Sequence, residues 1–332
     1  MYKFEPPYLL FLGDAQEPEA IKTAAGIAHW RPGSVAGQYR LDECGVTLGL
    51  PNLSPSDAAS RGAKTLVVGL AMAGGSIPDA WRAAILDALR AGLDVAAGLH
   101  TRLASIREIA ELANKLGRRL IDVRHTDQIF PVGTGEPRSG RRLLTVGTDC
   151  AVGKKYTALA LCDELKKLGV DAEFRATGQT GIMISGGGIP MDSVISDFLS
   201  GAAEQLTPDN HADHWDIVEG QGSLLHPAYA AVTLGLLHGT QPDALIMCHK
   251  PGRQTMIGFD FPAPDIRQCI DQYLTAGSLT NPDCRFIGVS LNTQGLSADL
   301  AAQEISKMRE LTGLPCADPI RTGLSEIAEQ LL

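Results

Sequence analysis

Residues 143–155 read Leu143-Leu144-Thr145-Val146-Gly147-Thr148-Asp149-Cys150-Ala151-Val152-Gly153-Lys154-Lys155. An apolar run enters a loop bounded by glycines, and a lysine closes it. Beyond it, Ala158, Leu159, Leu161, Cys162 and Leu165 repeat at helical spacing. The pattern is strand, phosphate loop, helix. Glycines let backbone N–H groups turn inward, the helix N-terminus adds positive potential, and Lys154 supplies a full charge. An ordinary tight turn needs none of these together. Residues Gly147, Thr148, Asp149, Cys150, Ala151, Val152, Gly153, Lys154 and Lys155 are therefore the expected cradle for a phosphorylated ligand.

The loop departs from the common pattern in two ways. Five residues, not four, separate Gly147 from Gly153. This longer form, Gly-Thr-Asp-x-x-Val-Gly-Lys, resembles the dethiobiotin synthetase branch of P-loop proteins. After the lysine stands Lys155, where a Ser or Thr hydroxyl ordinarily holds Mg²⁺. The cradle is intact and the metal position is altered, so the loop is expected to bind a phosphorylated cofactor without hydrolysing it, and no metal is expected.

The 332 residues suffice for two domains, and 44 % hydrophobic with 20 % charged residues is globular composition. A net charge of −9 argues against nucleic acid or an anionic membrane as partner. No apolar run reaches transmembrane length, and Met1-Tyr2-Lys3-Phe4-Glu5-Pro6-Pro7 lacks signal-peptide architecture. Seven scattered cysteines without a C-x-x-C suit a reducing cytoplasm. Cys150 sits in the phosphate loop, where packing explains it better than nucleophilic chemistry.

Upstream of the loop, strands are expected at Tyr8–Leu12, Thr65–Leu70, Leu93–Ala97 and Leu120–Val123, with helices at Ala20–Ala28, Asp79–Ala91 and Ser105–Leu116. Residues 31–62, rich in Gly, Pro, Asn and Ser, read as loops and short strands. Alternating strand and helix imply a parallel sheet, hence a Rossmann-like domain over 1–130. Gly74-Gly75-Ser76 reads as a structural turn at a strand end, and no G-x-G-x-x-G is present. His100 and His125 follow strands and read as hydrogen-bonded loop histidines. The run Pro131 to Arg142, rich in Pro, Gly and Arg, reads as a linker.

The second domain, 143–332, continues with a strand over Asp171–Arg175 and glycine-rich loops, Thr177-Gly178-Gln179-Thr180-Gly181 and Ser185-Gly186-Gly187-Gly188. Such loops bring backbone donors close to an anionic ligand. A helix is expected over Asp192–Ala203, with Val194, Ile195, Phe198, Leu199 and Ala202 on its core face. Asp209, His211, Asp213, His214 and Asp216 suggest metal ligation, but the spacing fits no ligand template and reads as a solvated loop. Ile217-Val218-Glu219-Gly220-Gln221-Gly222-Ser223 is an apolar strand ending on an acid. Without a hydroxyl at 155, Glu219 is the expected general base, with His226 as second candidate. Late strand ends deliver Lys250, Arg253 and Asn292 toward a ligand.

Taken together, Gly147–Lys154, Thr177-Gly178-Gln179-Thr180-Gly181, Glu219-Gly220-Gln221-Gly222-Ser223 and Ser290-Leu291-Asn292-Thr293 resemble a family that joins an N-terminal Rossmann-like domain to a C-terminal P-loop NTPase-like α/β domain. That family, first catalogued without a function, includes bacterial D-glutamate N-acetyltransferases. The resemblance implies acetyl-CoA as co-substrate, an acidic amino acid as substrate, and a role in D-amino-acid catabolism. Within that activity Glu219 would be the base and His226 its reserve. Lys154 or the glycine-loop amides would serve the oxyanion, and the phosphate loop with Asn292 would hold the cofactor. Arg175, Thr177, Gln179, Thr180, Lys250, Arg253 and Arg321 would contact the substrate, arginines holding its carboxylates. A homo-oligomer is expected. The rival enzyme is a Mg²⁺–ATP-dependent ligase or kinase of the dethiobiotin synthetase type. A non-catalytic nucleotide or CoA sensor is the rival outside enzymes.

Overall fold

Tyr8-Leu9-Leu10-Phe11-Leu12 has no polar side, and it forms a strand buried on both faces. The computed structural model describes residues 4–70 and 77–332. It divides into two compact units: residues 1–127 with 178–193, and residues 128–177 with 194–332.

In chain order the first unit holds β1 (Tyr8–Gly13), α1 (Lys22–Trp30), β2 (Val35–Arg40), α2 (Pro55–Ser60), β3 (Thr65–Val68), α3 (Asp79–Arg90), β4 (Asp94–Ala97), α4 (Arg107–Leu116) and β5 (Leu120–Asp122). The strands form one parallel sheet in the order β2-β1-β3-β4-β5. The order reverses at β1, which pairs with β2 on one side and β3 on the other, so the Rossmann-like expectation holds. Two elements, β2 and α2, lie inside the loop-rich stretch 31–62. Helix α2 starts where Ser54 accepts a hydrogen bond from the Asp57 amide and Pro55 takes the first turn. Gly74-Gly75-Ser76 lies outside the described residues. His125 Nε2 is 3.2 Å from Leu99 O, the hydrogen-bonded loop histidine expected.

The second unit holds β6 (Arg141–Gly147), α5 (Lys154–Lys167) and β7 (Ala172–Arg175). The chain then supplies α6 (Gln179–Ser185), which groups with the first unit, and returns as α7 (Leu199–Leu206). There follow β8 (Trp215–Val218), α8 (Ala230–Thr240), β9 (Ala244–His249), α9 (Ile266–Gly277), β10 (Arg285–Leu291), α10 (Ala298–Thr312), β11 (Cys316–Ala317) and α11 (Ser325–Ala328). This sheet is also parallel, in the order β11-β10-β9-β6-β8-β7. The phosphate-loop strand β6 is thus central, flanked by β8 and β9. Ala158, Leu159, Leu161, Cys162 and Leu165 of α5 are all buried, as their spacing requires.

Two expected elements are corrected. Gln179–Ser185 is a helix rather than a loop; Gly178 and Gly186 cap it, and Gly186 takes φ +77° at the C-terminal end. The glycines that suggested a ligand loop are its boundaries. The expected helix 192–203 is broken into single 3-10 turns at Met191–Ser193 and Ser196–Phe198 before α7. Of its expected core face only Leu199 and Ala202 are buried, while Ile195 is exposed. The apolar spacing there crossed a loop.

The stretch 131–140 is tied to the second unit. Thr134 N–H donates to Glu204 Oε1 at 2.9 Å, and the part-buried Arg138 donates to Thr207 O at 2.8 Å and Gly239 O at 2.7 Å. The histidine- and aspartate-rich loop is structural: His214 lies 2.8 Å from Asp171 and 3.2 Å from Asp216, and Asp209 accepts from the Ser139 amide at 2.8 Å.

Candidate active site

The site grows from the end of β6. Gly147 ends the strand, Ala151 and Gly153 take left-handed φ of +53° and +107°, and α5 begins at Lys154. Lys154 is buried and its Nζ donates to Asp149 O at 2.8 Å, closing the loop on itself. Burial pushes its ammonium below the ordinary lysine value, while Cys248, Cys150, Asp149 and Glu219 oppose that. Backbone space is reserved on both sides. A Cβ at Gly147 would stand 2.7 Å from Val152 and 3.2 Å from Lys154 Nζ; one at Gly220 would overlap Thr145 O. The loop's base is braced by Ser223, the end of the second glycine motif, and by Tyr273, which spacing did not single out. Gly147 O accepts from Ser223 Oγ at 2.8 Å and from Tyr273 O–H at 3.1 Å, and Tyr273 O in turn accepts from Leu224 N–H at 2.9 Å.

Asp149 is fully engaged. Its Oδ1 accepts from Cys150 N–H at 2.6 Å, and its Oδ2 accepts from Arg253 Nη1 at 2.6 Å and Ile257 N–H at 2.9 Å. Arg253 also donates to Cys150 O at 2.7 Å, so the loop after β9 clamps the phosphate loop. A cation already neutralises the carboxylate that a Mg²⁺ site would use, and Lys155 stands where the metal's hydroxyl belongs, its Nζ 4.7 Å over the Tyr156 ring.

Asp149, Cys150 and His226 place possible ligand atoms within 4.8 Å of one another. The hydrogen bonds oppose a metal there. His226 Nδ1 accepts from the Ala228 amide at 3.1 Å, so the neutral ring carries its proton on Nε2 and has no lone pair to give. That Nε2 is buried without a hydrogen-bond partner, 3.7 Å from Asp149 Oδ1. The ring is wedged between Tyr229, stacked at 4.7 Å, and Phe259, edge-on at 5.0 Å. In this tautomer His226 is a donor rather than a base. Desolvation raises the Cys150 thiol above its ordinary value, consistent with a packing role.

Glu219 follows β8 directly and is buried. Its Oε2 accepts from Thr177 N–H at 3.1 Å, its carbonyl accepts from Thr177 Oγ1 at 2.6 Å, and Gln221 Nε2 donates to that hydroxyl at 3.0 Å. The ends of β7 and β8 therefore fix the carboxylate beside the phosphate-loop strand. Of the other expected residues, Asn292 lies beside Gly153, its Cβ 3.7 Å from where a Cβ would stand there. Lys250 is half-buried at the end of β9. Arg175 is buried and spoken for, with Asp216 at 2.6 Å and Glu173 at 3.0 Å. Arg321 is drawn to Leu296 O at 2.6 Å, beyond the edge strand β11. The Arg175 guanidinium is thus committed to ion pairs within the second unit, while Arg321 is exposed and bonded to one backbone carbonyl. Gln179 and Thr180 belong to the first unit, where Thr180 Oγ1 meets Thr23 Oγ1 at 2.8 Å.

Chemically the second unit offers an anion cradle, a buried ammonium and a buried carboxylate around one strand end. A family model described as "Domain of unknown function (DUF1611_C) P-loop domain" matches residues 131–328, and one described as "(DUF1611_N) Rossmann-like domain" matches residues 34–126. A protein of Tritonibacter scottomollicae named D-glutamate N-acetyltransferase is 47 % identical over 328 residues, 98 % of each chain. One of the same name from a Pseudoalteromonas species is 45 % identical over 330 residues, 99 % of each. The crystal structure of a DUF1611 family protein from Anabaena variabilis is 31 % identical, with a TM-score of 0.86, over 98 % of this chain and 99 % of that one.

Proposed function

The chain belongs to the DUF1611 family, and from that premise we propose that it transfers an acetyl group from acetyl-CoA to the amine of D-glutamate. The observation that carries this reading is likeness over nearly the whole length to two relatives bearing that name. The geometry supports it. Coenzyme A presents a pyrophosphate, and the loop 147–154, with its left-handed Ala151 and Gly153 and its buried Lys154, is built for such a group. Asn292, beside Gly153, would line the same cradle.

Acetyl-CoA supplies an activated thioester carbonyl. Glu219 takes the proton from the substrate ammonium, since only the neutral amine attacks. The C–N bond forms, the C–S bond breaks, the second amine proton passes to the departing thiolate, and the products are N-acetyl-D-glutamate and free CoA. No step needs a metal. The Arg253–Asp149 pair and Lys155 speak against the rival Mg²⁺–ATP chemistry. The reaction would serve catabolism of a D-amino acid. A reducing cytoplasm suits the cysteines, all free among the described residues. No helix among the described residues is long and apolar enough to cross a membrane.

The test is Glu219→Gln. Product identified by chiral chromatography should be N-acetyl-D-glutamate for the native enzyme. The variant should lose about a hundredfold or more in kcat while its Kd for acetyl-CoA is kept. Near-native kcat in the variant would remove Glu219 from the mechanism.

A further inference from the structure

The first unit contains a pocket that the phosphate-loop chemistry does not use. It opens at the carboxyl ends of β3 and β4, beside the point where strand order reverses between β1 and β3. Open parallel sheets bind ligands at such a place. Its polar wall comes from Lys22 and Thr23 of α1, His100 after β4, Arg124 after β5, and Gln179 and Thr180 of α6. Val68, Leu99 and Met183 form an apolar floor. The pocket is held open by tight packing around it. A Cβ on Gly98 would stand 2.9 Å from Gln179, and one on Gly69 would overlap Ala24. These two glycines let α6 and α1 close onto the strand ends.

The chemistry of the wall is that of an anion site. Lys22 has no ion-pair partner among the described residues, and Arg124 is balanced on one side only, by Asp192 at 3.1 Å. Thr23 is buried, and its hydroxyl and that of Thr180 share a single hydrogen between them at 2.8 Å. One hydroxyl hydrogen therefore remains to be donated. The pocket is small and its lining mixes cationic, hydroxyl and apolar groups. Two cationic positions with an apolar floor between fit a short aliphatic chain bearing carboxylates.

We propose that this pocket binds a small dicarboxylate, and that Lys22 and the Thr23–Thr180 hydroxyl pair hold one of its carboxylates. That the ligand is D-glutamate rests on the acetyltransferase reading; that the pocket takes a carboxylate does not.

Calorimetric titration of the full chain tests this with D-glutamate, glutarate and succinate, each with and without CoA. It compares the native protein with Lys22→Gln and Thr180→Val. Lys22 is exposed, so its substitution leaves folding intact. Loss of a charge-assisted hydrogen bond should weaken binding about tenfold or more, with the Kd for acetyl-CoA unchanged. An unchanged Kd for every carboxylate in both variants would overturn the proposal, as would no carboxylate binding at all. If glutarate or succinate binds through Lys22 while D-glutamate does not, the pocket stands and the substrate assignment falls. If D-glutamate is acetylated with Kd and KM untouched by both variants, the activity stands and the pocket assignment falls.

Discussion

At the residue scale the site is a set of buried charges held by short bonds, and Cys150 shows what that does to reactivity. A helix N-terminus would by itself lower its pKa, but desolvation outweighs this and raises it, with Asp149 adding to the rise and Lys154 and Arg253 opposing. A thiol with a raised pKa holds less thiolate at neutral pH than a free cysteine, and gains it only as pH climbs through the raised value. Iodoacetamide should therefore label Cys150 slowly at neutral pH and faster in alkali. Mass spectrometry of tryptic peptides reads the rate. Cys284, also half-buried and pushed up to about 12, is the internal reference. Acetyl-CoA in the cradle should protect Cys150 and leave Cys284 unaffected. Faster labelling of Cys150 than of a free cysteine at neutral pH would contradict this account. The same scale explains what spacing could not reveal. Glu219 and Lys154 were legible as a strand-end acid and a loop lysine. The clamp of Arg253 on Asp149 and the Tyr273 brace on Gly147 join residues 104 and 126 positions apart, brought together by folding, and the tautomer of His226 depends on a backbone geometry that spacing does not print.

At the element scale, the phosphate loop works because β8 leaves the sheet close against β6. Gly220 makes that approach possible: its N–H donates to Thr145 Oγ1 at 3.0 Å, and a Cβ there would overlap Thr145 O and stand 3.1 Å from Lys154 Cδ. Gly220→Ala should cost about 1–3 kcal/mol or more, because the backbone oxygen cannot give way as a side-chain tip would. It should also displace Glu219. Thermal melting and the Kd for acetyl-CoA check both; a native melting temperature with native binding would contradict it. Strands such as β1, β3 and β6, and helix α5, were legible because each carries an apolar run or a five-residue buried apolar face. Helix α6 was not, because seven residues between glycines carry too little period to outweigh their turn-like flanks. The expected helix at 192–203 failed for the converse reason. Apolar residues at helical spacing fell across a loop, where Ile195 stays in solvent.

At the scale of the whole molecule, sequence pattern gave two parallel-sheet α/β architectures, while the choice of substrate came through likeness to relatives over the full length. Charge, composition and spacing name an anion cradle and a base, but an acetyl acceptor of one hand is written in pocket shape rather than in residue types. The account's central claim is therefore about turnover. The measurement that tests it most directly is thiol release from acetyl-CoA with a panel of D- and L-amino acids, run alone, with EDTA, and with Mg²⁺–ATP. Free CoA should appear with D-glutamate and not L-glutamate, and EDTA should leave the rate unchanged. No CoA release with D-glutamate, together with ADP or phosphate formed from Mg²⁺–ATP, would contradict it.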